Sequence, residues 1–223
     1  SSMKTKLKKL IDINSNKKLY IEFTIMFVLG FLCFISAYMI HGKLFIWIVD
    51  GLEQQYPMFI LYGEWLRQLL YNLVTFNFTI PMWTEFVGYG NDYLVSCFPA
   101  MGNPINFLAV FSTQANAEFL LELTIQITLY LAGISFILLC NYKGIDRFLV
   151  QIGALVYCFF GYALLAFSQI FMLYSLVLGP LTVLGLERYL CHRKAAIFIL
   201  AMFLNFAFSV DHSWNVFLLV VVY

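Results

Sequence analysis

The sequence predicts an all-α integral membrane protein, a polytopic helix bundle with a long and partly helical loop between its first two spans. Of its 223 residues, 62% are hydrophobic and only 11% are charged, whereas soluble domains average about 25% charged residues. A soluble fold cannot bury so much apolar surface, so lipid must be the solvent for much of the chain. The apolar runs lack period-2 alternation, which favours helices over a barrel. The net charge of +1 argues against a nucleic-acid-binding protein.

Five apolar runs are long enough, or nearly so, to cross a bilayer, and a sixth begins near the end of the sequence. They cover residues 21–40, 119–139, 148–167, 171–190 and 195–210, followed by 214–223. The fifth run is short, which predicts a thin or tilted end. The sixth has about half of the ~20 residues that a span needs. We therefore expect residues 1–223 to be the N-terminal part of one longer transmembrane domain.

The basic residues predict the orientation of the spans. With residues 1–20 in the cytoplasm, 11 of the 13 Lys and Arg residues fall on the cytoplasmic side. Only Lys43 and Arg67 then lie outside. Cytoplasmic loops of membrane proteins carry such an excess of basic residues. The sequence thus predicts a multi-pass membrane protein, with membrane lipid as a partner and residues 41–116 as an extracytoplasmic loop.

The first part of this loop, residues 53–74, has the periodicity of a helix. Pro57 falls in its first turn, where its missing N–H is tolerated. One face is mostly polar and carries Glu53, Glu64, Arg67, Gln68 and Tyr71. The other face is apolar and carries Phe59, Leu66, Leu70 and Leu73. This pattern predicts an amphipathic helix lying along the membrane surface, which serves either as part of a site or only as an interface anchor.

The second part of the loop, residues 78–106, is rich in glycine and proline, and such residues mark turns. Gly88-Tyr89-Gly90 is followed by Asn91-Asp92. Glycines at this spacing permit close approach of the backbone to a ligand. An ordinary turn is the alternative interpretation.

Asp50 is the acid placed nearest to the predicted outer boundary of the first span. It follows the apolar residues 44–49, among which Trp47 suits the headgroup level. A carboxylate at this depth can accept a proton from a hydroxyl that attacks a lipid-linked phosphate ester, because the lipid holds the phosphate at the same depth. A solvated loop acid or a helix cap are the alternatives. No cluster of His, Cys and carboxylates has metal-ligand spacing, and a divalent cation between Asp50 and Asp92 is left open.

Polar residues also mark the outer ends of other spans. Glu118, Glu122 and Gln126 form a stripe that enters the second span, and ionisable groups inside a membrane usually face a bundle interior or a wet cavity. His212 lies between the fifth and sixth runs. It is either a second acid or base, or a structural residue at the interface.

Several short motifs stand in a fixed order along the chain. They are Asp50-Gly51-Leu52-Glu53-Gln54-Gln55-Tyr56-Pro57, Trp83, Gly88-Tyr89-Gly90, Pro104-Ile105-Asn106, Gly179-Pro180-Leu181 and Gly185-Leu186-Glu187-Arg188. In this order and spacing they resemble the YfhO-like bacterial membrane protein family. The resemblance extends from about Tyr20 to the end of the sequence.

That family is similar to the GT-C superfamily of glycosyltransferases, which have many spans and an essential acid in a large first outer loop. The resemblance implies transfer of a sugar from a polyprenyl-phosphate-linked donor to a cell-envelope acceptor, such as lipoteichoic acid, on the outer face of the membrane. Asp50 matches the acid of the first loop and would be the general base.

The residues that would bind substrate or lipid phosphate under this resemblance are Arg67, Lys43, Glu53, Trp83, Tyr89, Asp92 and His212. Arg67, or Lys43 nearer the membrane, would stabilise the leaving phosphate. Trp83 and Tyr89 would stack on sugar faces. Glu53 would orient the acceptor, or it is a charge at the start of a helix.

Two other classes of function stay open. One is a lipid or solute transporter, which the polar stripe entering the second span supports. Against it, the sequence shows neither the broken helices nor the inverted repeats of many transporters. The other is a non-enzymatic membrane assembly protein whose loop docks a partner.

Overall fold

The computed structural model describes residues 13–43, 46, 49–96, 101–165, 170–208 and 210–222. The α-helices in these residues are α1 (Ile13–Ile40), α2 (Tyr56–Val74), α3 (Tyr93–Ser96), α4 (Ala117–Lys143), α5 (Arg147–Phe159), α6 (Gly161–Leu165), α7 (Ile170–His192), α8 (Ala196–Phe208) and α9 (Val210–Val222). A π-helical turn, Gly51–Gln55, leads into α2, and a 3₁₀ helix, Pro104–Phe111, precedes α4. Strands β1 (Trp83–Thr84) and β2 (Asn91–Asp92) form an antiparallel pair.

Four helical segments of the described residues are long and apolar enough to cross a membrane. They are Lys17–Ile40, Ala117–Lys143, Arg147–Leu164 and Ile170–His192. The predicted fold class, an all-α polytopic membrane protein, is thereby confirmed. The predicted fifth span corresponds to α8, whose 13 described residues extend about 20 Å, and residue 209, which follows them, lies outside the described residues. The total of five to six spans therefore stays a prediction.

The third span is interrupted between α5 and α6. Phe160 has extended backbone there, with φ −74° and ψ 164°, so the expectation of unbroken helices is wrong at this point. Aromatic rings cover the break, because Phe160 stacks on Tyr157 and Tyr162 at centroid distances of 5.7 and 5.9 Å. The Tyr157 hydroxyl also donates a hydrogen bond to the Leu176 carbonyl at 3.0 Å. Periodicity could not reveal this break, since the residues around it are all apolar.

Helix α4 lies at the centre of the bundle and packs against α7 and α5. Gly133 allows α1 and α5 to approach it closely. A Cβ at this position would lie 2.3 Å from Cζ of Phe23 and 2.7 Å from Sγ of Cys158. Phe23 also stacks on Tyr130 of α4 at 5.7 Å. Small residues at helix crossings let backbones approach in this way in membrane proteins.

Ion pairs join the helices at one end of the bundle. Glu22 of α1 accepts hydrogen bonds from Arg147 and Gln151 of α5. Lys143 of α4 pairs with Glu187 of α7. The segments whose basic residues predicted the orientation therefore meet at the same end. Which side of a membrane this end faces stays a prediction.

Candidate functional site

Helix α2 changes its surroundings along its length. Its first half packs against the 3₁₀ helix and α4, with Phe59 fully buried and Gly63 so close to the Ala109 carbonyl that a Cβ would lie 2.1 Å from it. Its second half leaves Leu70 and Leu73 exposed by 51% and 48%. The sequence predicted that Phe59, Leu70 and Leu73 share one apolar face that lies along the membrane. This prediction is wrong for Phe59, which is buried within the protein. That the exposed half lies along a membrane stays a prediction.

The chain reverses after α2 and runs back along the helix. The reversal uses Phe76 in the left-handed region, with φ 55°. Asn72, which is buried, donates its amide to the Thr79 carbonyl at 2.8 Å. About two helical turns earlier, Nε1 of Trp65 donates to the Pro81 carbonyl at 2.7 Å. Two side chains of α2 thus hold the returning segment and set the position of β1.

A tight turn seats the indole of Trp83. Trp83 pairs with Asp92 in the two-stranded ladder, and the connecting turn has positive φ at Gly88, Tyr89 and Gly90 (55°, 68° and 113°). A Cβ at Gly90 would lie 2.5 Å from Cζ2 of Trp83. The glycines therefore make an ordinary turn and allow contact with Trp83, which is the alternative that the sequence left open. Tyr89 projects from the turn and is fully exposed.

Helix α2 and the hairpin enclose an open groove of about 700 Å³. Its lining includes Glu64, Trp65, Gln68, Trp83, Glu85 and Phe86. We call it the Trp83 groove. Trp65 is not available as a stacking platform, since its ring stacks on Tyr62 and Tyr93 at 6.0 and 5.2 Å. Trp83, in contrast, is 65% exposed.

The polar side chains of the groove include two carboxylates, an amide and the hydroxyl of Thr84. Glu64 and Gln68 stand one helical turn apart on α2, and Glu85 follows β1. Neither Lys nor Arg is among the lining residues. Tyr62 lies behind Trp65, and burial raises the pKa of its phenol above the usual range, so this group stays protonated. The groove can accept hydrogen bonds from neutral or cationic ligands, and it disfavours anions.

Sequence reasoning found part of this groove. It named Trp83 as a sugar platform and put Glu64 and Gln68 on the polar face of a helix, but it did not bring them together. It missed Trp65 and Glu85. Trp65 was the available signal, because a tryptophan with polar neighbours on a surface helix usually needs a partner for its N–H.

Asp50 begins the helical segment that continues through the π-turn into α2. Its backbone is helical, with φ −68° and ψ −33°, and its side chain makes no capping hydrogen bond. It is half-buried. The structure therefore does not use Asp50 as a side-chain cap or leave it fully solvated. Glu53 is exposed in the first turn of this segment, where its charge suits the positive end of the helix.

Arg67 does not lie beside Asp50. It follows Asp50 by 17 residues of helical backbone, which is roughly 25 Å at about 1.5 Å per residue. Its Nη1 donates to the carbonyls of Val110 and Ser112 at 2.9 and 2.8 Å. This contact ties α2 to the end of the 3₁₀ helix. Lys43 is exposed just beyond α1, as the sequence anticipated.

The other predicted site residues have separate positions. Asp92 accepts a hydrogen bond from the Val95 amide at 3.2 Å and so caps α3. The side chain of His212 lies outside the described residues. Among the residues that the structure describes, no group of three or more His, Cys, Asp and Glu side chains can hold a metal ion. A divalent cation between Asp50 and Asp92 therefore gains no support there.

Comparison with known proteins gives one finding. Residues 21–212 match the family model described as bacterial membrane protein YfhO. No curated protein matches the sequence, and no solved structure matches it. The resemblance found in the motifs is thereby confirmed over most of the chain.

Proposed function

We propose that this chain, which belongs to the bacterial membrane protein family YfhO, acts as a membrane glycosyltransferase. The reaction moves a sugar from a polyprenyl-phosphate-linked donor to a cell-envelope acceptor, such as lipoteichoic acid. It takes place at the outer face of a bacterial plasma membrane. The family match supports a membrane protein, and the position of Asp50 is the observation that carries the proposed chemistry.

Asp50 has the properties of a general base for a lipid-linked substrate. It starts a helical segment ten residues after Ile40, where α1 ends. Its carboxylate is half-buried and is not used to cap the helix. A general base must reach the proton of the attacking group, and a lipid donor holds the scissile bond close to the membrane surface. The end of the first span provides this depth.

The proposed step balances without a further reactant. The Asp50 carboxylate takes the proton of an acceptor hydroxyl while the hydroxyl oxygen bonds to the anomeric carbon of the donor sugar. The bond between that carbon and the phosphate oxygen breaks, and polyprenyl phosphate leaves as an anion. Lys43, near the end of α1, is the proposed cation for the leaving phosphate. Arg67 is less suited, because it engages two backbone carbonyls.

The test is an assay of labelled-sugar transfer from a polyprenyl-phosphate donor by the full-length protein. Asp50→Asn keeps the size of the side chain and removes the base, so we expect transfer to fall by roughly 10²–10⁴-fold. Asp146→Asn makes the same replacement at an exposed acid outside the proposed site, where Asn keeps the Oδ1 acceptor that caps α5; it is the matched control and is expected to stay near the wild-type rate. Wild-type rates in the Asp50→Asn protein would rule out the general-base assignment.

A transporter is the second candidate, and Glu122 is the residue that favours it. Its side chain is only 8% exposed within α4, and buried ionisable groups in spans often mark a polar pathway. The same preparation distinguishes the two. Directional lipid movement in vesicles, with no sugar transfer by the wild-type protein, would support the transporter. If the wild-type protein shows neither sugar transfer nor lipid movement, the remaining candidate is a membrane assembly protein.

A further inference from the structure

We propose that the Trp83 groove is a binding subsite for neutral pyranose units of a polymeric acceptor, remote from the bond that reacts. The term acceptor rests on the proposed glycosyltransferase function. The binding of a neutral sugar does not, because it follows from the shape and chemistry of the groove.

The first support is the rigid and exposed indole of Trp83. Pairing with Asp92 and contact with Gly90 fix its position, and 65% of the residue remains exposed. The face of an indole carries negative charge density and attracts the weakly positive C–H groups on one face of a pyranose. An aromatic face held in this way loses little conformational entropy on binding.

The second support is the set of hydrogen-bonding groups around the indole. Glu64 and Glu85 supply acceptors for sugar hydroxyls, and Gln68 supplies an amide. The Gln68 amide is oriented, because its Nε2 donates to Oδ1 of Asn72 at 2.9 Å. A flat apolar platform ringed by a few fixed polar groups matches a ring with C–H faces and hydroxyl edges.

The third support is charge, which separates sugars from phosphates. Among the described residues, two carboxylates and no basic side chain line the groove. Arg67, which lies between Glu64 and Gln68 in the sequence, donates to the carbonyls of Val110 and Ser112. An anionic ligand would therefore meet like charges with no compensating cation. The groove does not suit the phosphate of a lipid-linked donor.

The fourth support is distance. Glu64 follows Asp50 by 14 residues of helical backbone, or roughly 20 Å at about 1.5 Å per residue. A sugar in the groove is thus too far from Asp50 to be the one that reacts. A polymer can occupy both places at once, and its attachment in the groove raises the local concentration of its reactive end.

The experiment measures binding of methyl β-D-glucopyranoside to the full-length protein in nanodiscs by saturation-transfer NMR. Trp83→Ala should weaken binding at least about tenfold, and Trp83→Tyr, which keeps an aromatic face, should weaken it less. Trp214→Ala is the matched control, since Trp214 is also 65% exposed but lies on α9, and its affinity should match the wild type. Equal binding by wild type and Trp83→Ala would overturn the proposal.

A second binding measurement tests the charge argument. Glucose 6-phosphate should bind at least about tenfold more weakly than the glucoside, and the double variant Glu64→Gln, Glu85→Gln should reduce this difference. Equal binding of the two probes by the wild-type protein would also overturn the proposal, because the carboxylates would then not shape the selectivity.

The two proposals can fail separately. Asp50→Asn should lose transfer but keep glucoside binding, while Trp83→Ala should raise KM for a polymeric acceptor and leave kcat unchanged. Transfer that is indifferent to Trp83 would refute the subsite and leave the glycosyltransferase. Glucoside binding that depends on Trp83, in a protein without transferase activity, would refute the glycosyltransferase and leave a sugar-binding groove.

Discussion

Replacing Trp65 by Phe tests how the groove is built. The indole N–H donates to the Pro81 carbonyl at 2.7 Å, and Phe removes this donor while it keeps a ring between Tyr62 and Tyr93. Loss of one partly buried hydrogen bond, with its acceptor left behind, costs about 1–2 kcal/mol. A cost near 1.4 kcal/mol is a tenfold change in a local opening equilibrium.

The measurement is amide hydrogen exchange by mass spectrometry on the protein in nanodiscs. Residues 77–93 contain amides held by the fold, including that of Asn77 on the Asn72 carbonyl at 2.8 Å and that of Tyr93 on the Met82 carbonyl at 2.7 Å. We expect peptides from this segment to exchange about tenfold faster in Trp65→Phe, whereas peptides from α4 keep their wild-type rates.

Trp214→Phe is the control for a loss of indole elsewhere. Trp214 packs edge-on against Phe217 within α9, so its replacement should leave residues 77–93 unchanged. Unchanged exchange of these residues in Trp65→Phe would refute the argument that Trp65 holds the returning segment. An equal increase in both variants would refute it as well, since the effect would then be global.

Two further predictions concern close backbone approaches. Gly90→Ala combines φ 113° with a Cβ 2.5 Å from Trp83, so we expect a loss of about 1–3 kcal/mol and clearly weaker glucoside binding by NMR. Gly88→Ala, at φ 55° but with no atom within 4 Å of its Cβ, should impair binding less. Gly133→Ala overpacks the α1–α4–α5 crossing and should cost about 1–3 kcal/mol, which lowers the Tm in detergent. Gly161→Ala, whose Cβ would have no atom within 4 Å, should leave the Tm nearly unchanged.

The spans were predictable because the signal is local. Residues 21–40 and 171–190 are mostly apolar, and each lies within a helix that is longer than the predicted run. The break at Phe160 was not predictable, since apolarity sets the environment of a residue and not its backbone angles.

The long loop shows which structural features the sequence patterns could not predict. Helical periodicity and Pro57 predicted α2, and the turn chemistry of residues 88–92 predicted a reversal. Neither reveals that Asn72 and Trp65 hold the segment that follows, because these hydrogen bonds join residues that no periodic pattern relates. The periodicity that put Phe59 and Leu70 on one face likewise could not say that protein covers the first and not the second.

The predicted site residues show the same difference between local sequence signals and tertiary contacts. Asp50 was predicted from its expected depth alone, which follows from the sequence next to a span. Arg67 was chosen because it is the only arginine of the loop. Its hydrogen bonds to Val110 and Ser112 depend on how α2 meets the 3₁₀ helix, and that arrangement is set by tertiary packing.

The Arg67 contact also decides which part of the bundle Asp50 moves with. Asp50 follows α1 in the sequence, but it belongs to a continuous helical segment that includes α2 and ends at Val74. The hydrogen bonds of Arg67 to Val110 and Ser112 attach this helical segment to the residues that lead into α4. Because this helix is attached there, a displacement of α1 relative to α4 would leave Asp50 with α4 and would change its distance from α1. Asp50 therefore keeps its position relative to α4, although α1 is the helix that precedes it in the sequence.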